Sequence, residues 1–331
     1  MNKVRANLIV CIIIAVSMIL CPVAALGSEN LPRESQPAES EQVILPEDSR
    51  AYIAVLSSST GNIEKVKMRE YVIGSVAAEM SALYHSQALM AQAVASYTYA
   101  KKVGEQNEKY KESSLGEADI TDSPDTHQGY INEKQRKEKW GENFEEYEKK
   151  IEAAVDEVFG CYLTYNGDTA LAVYHSNSAG KTQSAETLWG TNIPYLISVE
   201  SPGDKLSPDF ESVQTFDAGE FKKLAKRCDI TLSGGEEEWV GEITRADSGY
   251  VMSVRLGSTE VSASKFREEF GLRSCCFDID YDDGEFTVTC RGYGHGAGMS
   301  QYGADYMARQ GSTWREILKH YYPGTEVNND G

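Results

Sequence analysis

The stretch YVIGSVAAEMSALYHSQALMAQAVASYTYA, residues 71–100, places apolar side chains three or four positions apart, the spacing of helices with one inward face. It predicts two helices. The second takes Ser86 as its N-cap and covers residues 87–103, with Leu89, Ala93, Tyr97 and Ala100 on one stripe and small alanines that permit close packing. In the first, Glu79 follows Val72 by seven positions and Val76 by three, which puts a carboxylate on the buried stripe. Upstream, AYIAVLSS reads as a strand, and GNIEKVKMREYVIGSVAAEM as a second strand leading into the first helix.

Residues 104–125 are polar and read as a loop, and residues 133–158 as one charge-rich amphipathic helix whose inner face is Trp140, Phe144, Tyr147 and Ile151. CYLTYNGDTALAVYHS holds two strand-like runs joined at Asn166-Gly167, a hairpin signal, and delivers His175, Ser176, Asn177 and Ser178 into a loop of small residues. Residues 205–290 carry further strand-like runs, YVMSVRL and GEFTVTC among them, with Gly-rich turns and two short helical patches. Gly292, Gly294, Gly296 and Gly298 alternate just before a helical stretch at residues 299–309, a pattern for positive φ angles or for a close approach to the backbone. The final helix is framed by a Thr313 and Glu316 capping box and stopped by Pro323-Gly324.

The N-terminus differs from the rest. Lys3 and Arg5 precede an uncharged apolar run over residues 8–26, about 19 residues and enough to cross a bilayer as a helix. Its cleavage signal at Ala24 and Ala25 is mediocre, and Cys21 lacks the small preceding residue of a lipoprotein site, so an uncleaved signal-anchor over 1–26 is expected, with the rest of the chain outside the cytoplasm. Residues 27–50 are acidic and Pro-containing and read as a disordered linker, leaving 51–327 as the folded domain with 205–290 as a β-rich subregion. Net charge is -19 with no basic stripe, which argues against nucleic acid as a partner.

Two motifs fail on inspection. SAGKT at 178–182 has His175 where a phosphate-binding loop needs glycine, and the glycines of RGYGHGAGMSQYG do not fall in dinucleotide-fold spacing. The five histidines form no H-E-x-x-H or i, i+4 pair, so spacing reveals no metal site. Beyond the N-terminal run there are five cysteines, Cys161, Cys228, Cys275, Cys276 and Cys290, an odd number that leaves open one bridge, Cys276 to Cys290, or buried free thiols throughout.

Three blocks resemble one family together: YVIGSVAAEM with HSQALMAQAVASYTYA, YHSNSAGKTQSAETLWGTNIPYLISVESPGD, and RGYGHGAGMSQYGADYMARQGSTWREILKHYYPGTEV. They resemble the stage II sporulation protein D family, which includes the amidase enhancers, and the N-terminal anchor agrees with the sporulation members. The resemblance implies an α+β fold, a helical core carrying a catalytic glutamate beside a β-rich portion that flanks a substrate cleft. It also implies a lytic transglycosylase acting in engulfment on peptidoglycan glycan strands denuded of stem peptides, with a membrane-anchored cell-wall amidase and an integral membrane protein as partners. Glu79 matches the family's catalytic glutamate. A carboxyl on an apolar face has a raised pKa and can hold a proton for a glycosidic oxygen. Of the other two blocks, Tyr302 is the candidate to stabilise developing charge, and His175, Ser176, Ser178, Gly180, Lys181, His295, Ser300 and Gln301 are candidate sugar-binding groups.

The sequence departs from the family in one place. Some members carry a Cys and His zinc site in the stretch matching DITDSPDTHQGYI; here only His127 remains, beside Thr121 and Thr126, and no zinc or other cofactor is expected. Two other readings stay open: a non-catalytic glycan-binding module that recruits or enhances a cell-wall amidase, and a membrane-tethered scaffold. The single carboxylate on an apolar stripe favours the enzyme.

Overall fold

In the computed structural model, which describes residues 52–110 and 112–330, the chain is an α+β protein with two hydrophobic cores. The expected anchor at 1–26 and linker at 27–50 lie outside the described residues. Among those described, no helix is long and apolar enough to cross a membrane.

The first core is organised by helices. Strands β1 (Tyr52–Leu56) and β2 (Ile63–Lys67) form an antiparallel pair, and β1 also pairs in parallel with the short β3 (Ile120–Thr121). β2 runs directly into α1 (Met68–Glu79), and α2 (Ser86–Lys109) follows. α2 is the central element, with Ala88, Leu89, Ala91, Val94 and Ala95 fully buried, and it packs on α1, α4 (Phe144–Val158), β4 (Cys161–Tyr165), α8 (Gln301–Arg309) and α9 (Trp314–Tyr321). Its alanines shorten the distance at which neighbouring backbones can approach.

Three boundaries differ from the sequence reading. His85, not Ser86, caps α2: its Nδ1 accepts the Gln87 N–H at 3.2 Å. The helix also continues to Lys109 where a loop was expected, because Asn107 ties it to the carbonyl of Asp119 and Lys109 places a cation at its C-terminal carbonyls. Residues 133–158 form two helices, α3 (Glu133–Trp140) and α4, because Gly141 takes a φ of 52° that no helix continues through. Trp140 and Tyr147 are only partly buried, and Ile151 reaches the core.

The expected hairpin is present: β4 and β5 (Asp168–Thr169) pair across Asn166 and Gly167, both at positive φ, and β14 (Glu326–Asn329) adds to β4. β6 (Tyr174–His175) pairs in parallel with β13 (Met299–Ser300), joining the middle and last sequence blocks, with α5 (Ala185–Trp189) between them in sequence. The second core belongs to residues 211–291. Its sheets are β10-β9-β8 (Thr259–Ser262, Val251–Leu256, Val240–Arg245) and β11-β12-β7 (Phe277–Asp282, Glu285–Arg291, Glu211–Asp217), packed with α6 (Ala218–Arg227) and α7 (Ala263–Phe270) around Phe221, Phe266, Phe277 and Phe286. Among the described residues, Cys161, Cys228, Cys275, Cys276 and Cys290 are all buried free thiols. The register pairs Phe277, not Cys276, with Cys290, so the bridge left open by the sequence is absent.

Candidate active site

Glu79 is the last residue of α1. Tyr71, Val72, Ile73, Val76 and Ala77 are buried, whereas Glu79 is partly exposed where the chain turns extended at Met80. The stripe is therefore buried up to the final turn and ends in a partly exposed residue at Glu79. α1 has no basic residue in its own last turn; Lys139 of α3 supplies one, donating to the carbonyls of Ala77 at 2.7 Å and Ala78 at 3.4 Å. That cation sits on the negative end of the helix dipole.

The carboxyl has two donors. Oε1 accepts the N–H of Gly129 at 2.6 Å, and Oε2 faces the Gln301 amide nitrogen at 3.3 Å. Removal from water raises its pKa, opposed by these two contacts and by the Lys139 charge.

The loop that brings Gly129 is pinned on both sides. Gln128, fully buried, donates to the Tyr71 hydroxyl at 2.9 Å and to the Ser96 carbonyl at 3.2 Å, and accepts from the Tyr174 hydroxyl at 2.6 Å. Desolvation, with Glu79 adding its charge, keeps both phenols protonated and so able to donate. Beyond the loop, Arg136 is 1% exposed; it donates to the Ile131 carbonyl at 3.0 Å and makes 2.7 Å ion pairs with Glu70 and Glu148.

Gln301 is set by the start of α8. Ser300 caps this helix, its Oγ accepting the Gly303 N–H at 3.0 Å while donating to Asp204 Oδ1 at 2.7 Å. The other oxygen of Asp204 accepts the Ser178 N–H at 2.8 Å and the Ser178 hydroxyl at 2.5 Å. Burial raises the Asp204 carboxyl, and these donors hold it down. Asp204 is fully buried, so Ser178 and Ser300, read from sequence as sugar-binding groups, spend their hydroxyls on an internal carboxylate.

The remaining candidates are placed as follows. His175 and His295 are buried together, ring centroids 5.7 Å apart, and Ala297 sets both tautomers: its carbonyl accepts the Nδ1–H of His175 and its N–H donates to Nδ1 of His295, each at 3.0 Å. Burial lowers His175 to about 4 and His295 well below its usual value, so both rings are neutral. Ser176 accepts the Tyr302 N–H on its carbonyl at 3.0 Å, and Gly180, at φ 97°, packs under the Lys205 stem. Lys181 pairs with Glu200 at 3.4 Å. The Tyr302 hydroxyl donates to the Leu206 carbonyl at 3.0 Å, at the end of the 3₁₀ turn Pro202–Leu206.

Of the candidates, then, Gln301 alone meets Glu79. The structure adds Gly129, Lys139 and Asp204, which sequence reasoning missed; Asp204 and Gly129 lie in the segments SPGD and HQGY, beside residues whose side chains carry more evident chemistry. His127 is buried beside Tyr99 and held neutral by desolvation. No three His, Cys, Asp or Glu side chains gather as a metal cluster among the described residues.

A family model described as Stage II sporulation protein matches residues 57–165. The chain is 36% identical to Stage II sporulation protein D of Bacillus subtilis (strain 168), over 92% of this chain and 87% of that protein. It is 36% identical to Stage II sporulation protein D of Bacillus amyloliquefaciens, over 85% of this chain and 80% of that one. Amidase enhancer of Bacillus subtilis (strain 168) is 26% identical over 77% of this chain and 40% of its own length. With this identity along nearly the whole of both chains, and with its first and last sequence blocks meeting at Glu79 and Gln301, the chain belongs to the Stage II sporulation protein D family.

Proposed function

We propose that the chain is a lytic transglycosylase that cleaves peptidoglycan glycan strands denuded of stem peptides and leaves 1,6-anhydromuramyl ends. The observation that carries this reading is the Glu79 carboxyl at the end of a buried helix face, raised by desolvation, with Gly129 N–H on one oxygen and the Gln301 amide on the other. Glycosidases that use water employ two carboxyls about 5 to 10 Å apart. One suffices when the nucleophile is the sugar's own hydroxyl.

In this mechanism protonated Glu79 gives its proton to the glycosidic oxygen as the C1–O bond breaks, leaving an oxocarbenium-like muramyl unit and a Glu79 carboxylate. That carboxylate takes the proton of the muramyl O6 hydroxyl while O6 bonds to C1. Glu79 ends protonated, and no water is consumed. The Gln301 amide can donate to the ionised carboxylate or accept from the acid, so it serves both halves of the cycle. The Gly129 N–H favours the ionised form and limits how far burial raises the carboxyl.

The test is incubation of the full-length chain with denuded glycan strands, wild type against Glu79→Gln, with products read by mass spectrometry. Anhydro ends from wild type and none from a folded Gln variant support the reading. Hydrated reducing ends would overturn the single-carboxylate mechanism. The likeness to Amidase enhancer favours one second reading, a glycan-binding module that recruits or stimulates a cell-wall amidase. Binding without cleavage by both proteins, together with stimulation of an added amidase, selects it. A membrane location through residues 1–26, and engulfment partners that include an integral membrane protein, belong to the same proposal.

A further inference from the structure

Leu206 and Leu83 are the two most exposed large hydrophobic side chains among the described residues, at 66% and 64%. They lie far apart in sequence but are tied to the same helix. The Leu206 carbonyl accepts the Tyr302 hydroxyl, and the Leu83 carbonyl accepts from the Arg309 guanidinium at 3.2 Å. Between them Tyr84 meets Tyr302 edge to face, ring centroids 6.3 Å apart and planes at 85°, with both rings partly exposed.

Exposed leucines normally cost little, but two beside a pair of partly exposed aromatic rings make a patch that calls for an occupant. Its place in the fold names the occupant. The segment bearing Leu83 and Tyr84 follows Glu79 directly in the chain, and Tyr302 follows Gln301, the residue on the Glu79 carboxyl. The backbone here is fixed: Asp305 accepts the His85 N–H at 2.6 Å while its other oxygen accepts from Arg309 at 2.7 Å, so the rim is built before any ligand arrives. A strand cut at Glu79 must continue past the site. A pyranose ring presents a face of C–H groups that packs on the negative face of an aromatic ring and on aliphatic carbon. A net charge of -19 argues against an anionic membrane surface as the alternative.

We infer that Leu83, Tyr84, Tyr302 and Leu206 form a stacking subsite for a sugar of the glycan strand adjacent to the bond at Glu79. This rests on the glycan reading proposed above. It assigns Tyr302 to substrate through its ring, since its hydroxyl is committed to Leu206.

The experiment measures binding of denuded glycan strands to the full-length Glu79→Gln chain, which holds substrate without turning it over, with and without Leu83→Ser and Leu206→Ser. Both leucines are exposed, so the fold tolerates their loss. The expected result is a Kd about tenfold weaker for the double variant, from lost apolar contact, and in the active background a raised KM with little change in kcat. Equal Kd values with and without the serines overturn the subsite while leaving the glycan reading intact. No glycan binding by the parent chain overturns both. Loss of binding to phosphatidylglycerol vesicles with glycan binding unchanged makes the patch a membrane face and overturns the subsite.

Discussion

Glu79 and Gly129 meet at 2.6 Å across fifty residues of chain, and the glycine is what lets them. A Cβ on residue 129 would lie 2.9 Å from Oε1 of Glu79 and 3.2 Å from the Ala78 Cβ. The loop that donates this N–H is anchored by Gln128 and Arg136, so it has little freedom to retreat. Gly129→Ala is therefore expected to displace the carboxylate or lose its donor. We expect a fall in kcat of roughly 10²-fold, the order that a misplacement of about 1 Å costs, with far-ultraviolet circular dichroism unchanged. Unaltered kcat on denuded glycan would show that the contact is dispensable.

Asp204 answers to stability before it answers to chemistry. Fully buried, it takes three hydrogen bonds from Ser178 and Ser300. Asp204→Ala strands those donors, and the expected cost is about 3 kcal/mol, read as a lower urea midpoint. Because Ser300 caps the helix that presents Gln301, Asp204→Asn is expected to retain most of the stability and still lower kcat. Full activity in a folded Asp204→Asn chain would remove the link from Asp204 to Gln301.

The elements and the glutamate were legible because each is local. Apolar spacing marked α1 and α2, Asn166-Gly167 the hairpin, and Thr313 with Glu316 the last helix cap. The misreadings come from tertiary contacts that sequence spacing does not encode. His85 displaces Ser86 as cap, and α2 outlasts its apolar stripe because Asn107 finds Asp119. The site divides in the same way. Hydroxyls and imidazoles near strand ends looked like sugar ligands, but a residue type does not say whether its partner is a sugar or a buried Asp204, which lies 26 residues from Ser178 and 96 from Ser300. Gly129 contributes only a backbone N–H, which leaves no chemical signature beyond a missing side chain.

The neutral imidazole pair makes the fold acid-sensitive in a defined window. His175 is lowered to about 4 by burial, against an ordinary 6.5 in the unfolded chain. Between those values the unfolded chain binds the proton more readily, so stability is complete above pH 6.5 and falls as pH drops toward 4. The share owed to His175 is on the order of 3 kcal/mol. His175→Asn keeps a donor for the Ala297 carbonyl and cannot titrate, so its urea-unfolding free energy is expected to vary less between pH 6.5 and pH 4 than that of wild type. Parallel curves would place the acid sensitivity elsewhere.

Glu79 shifts in the opposite sense, and the sign separates its chemical role from its structural cost. Its carboxyl is raised, chiefly by desolvation, so in the window above its ordinary value the folded chain holds a proton that the unfolded chain has lost. Stability from this group is present at low pH and drains away as pH rises through the folded value. Above it the protein carries a poorly solvated carboxylate, a burden kept for the sake of the reaction. Glu79→Gln keeps an oxygen for the Gly129 N–H and has no charge to desolvate. The expected outcome is an inactive variant with a higher Tm than wild type at pH 8, the gap closing as pH is lowered to 4. The kcat of wild type should fall on the alkaline side with the same pH dependence, since protonated Glu79 is the acid in the first step. A variant less stable than wild type at pH 8 would mean that the carboxylate is satisfied as an ion, and an acid held ready by desolvation would no longer describe this site.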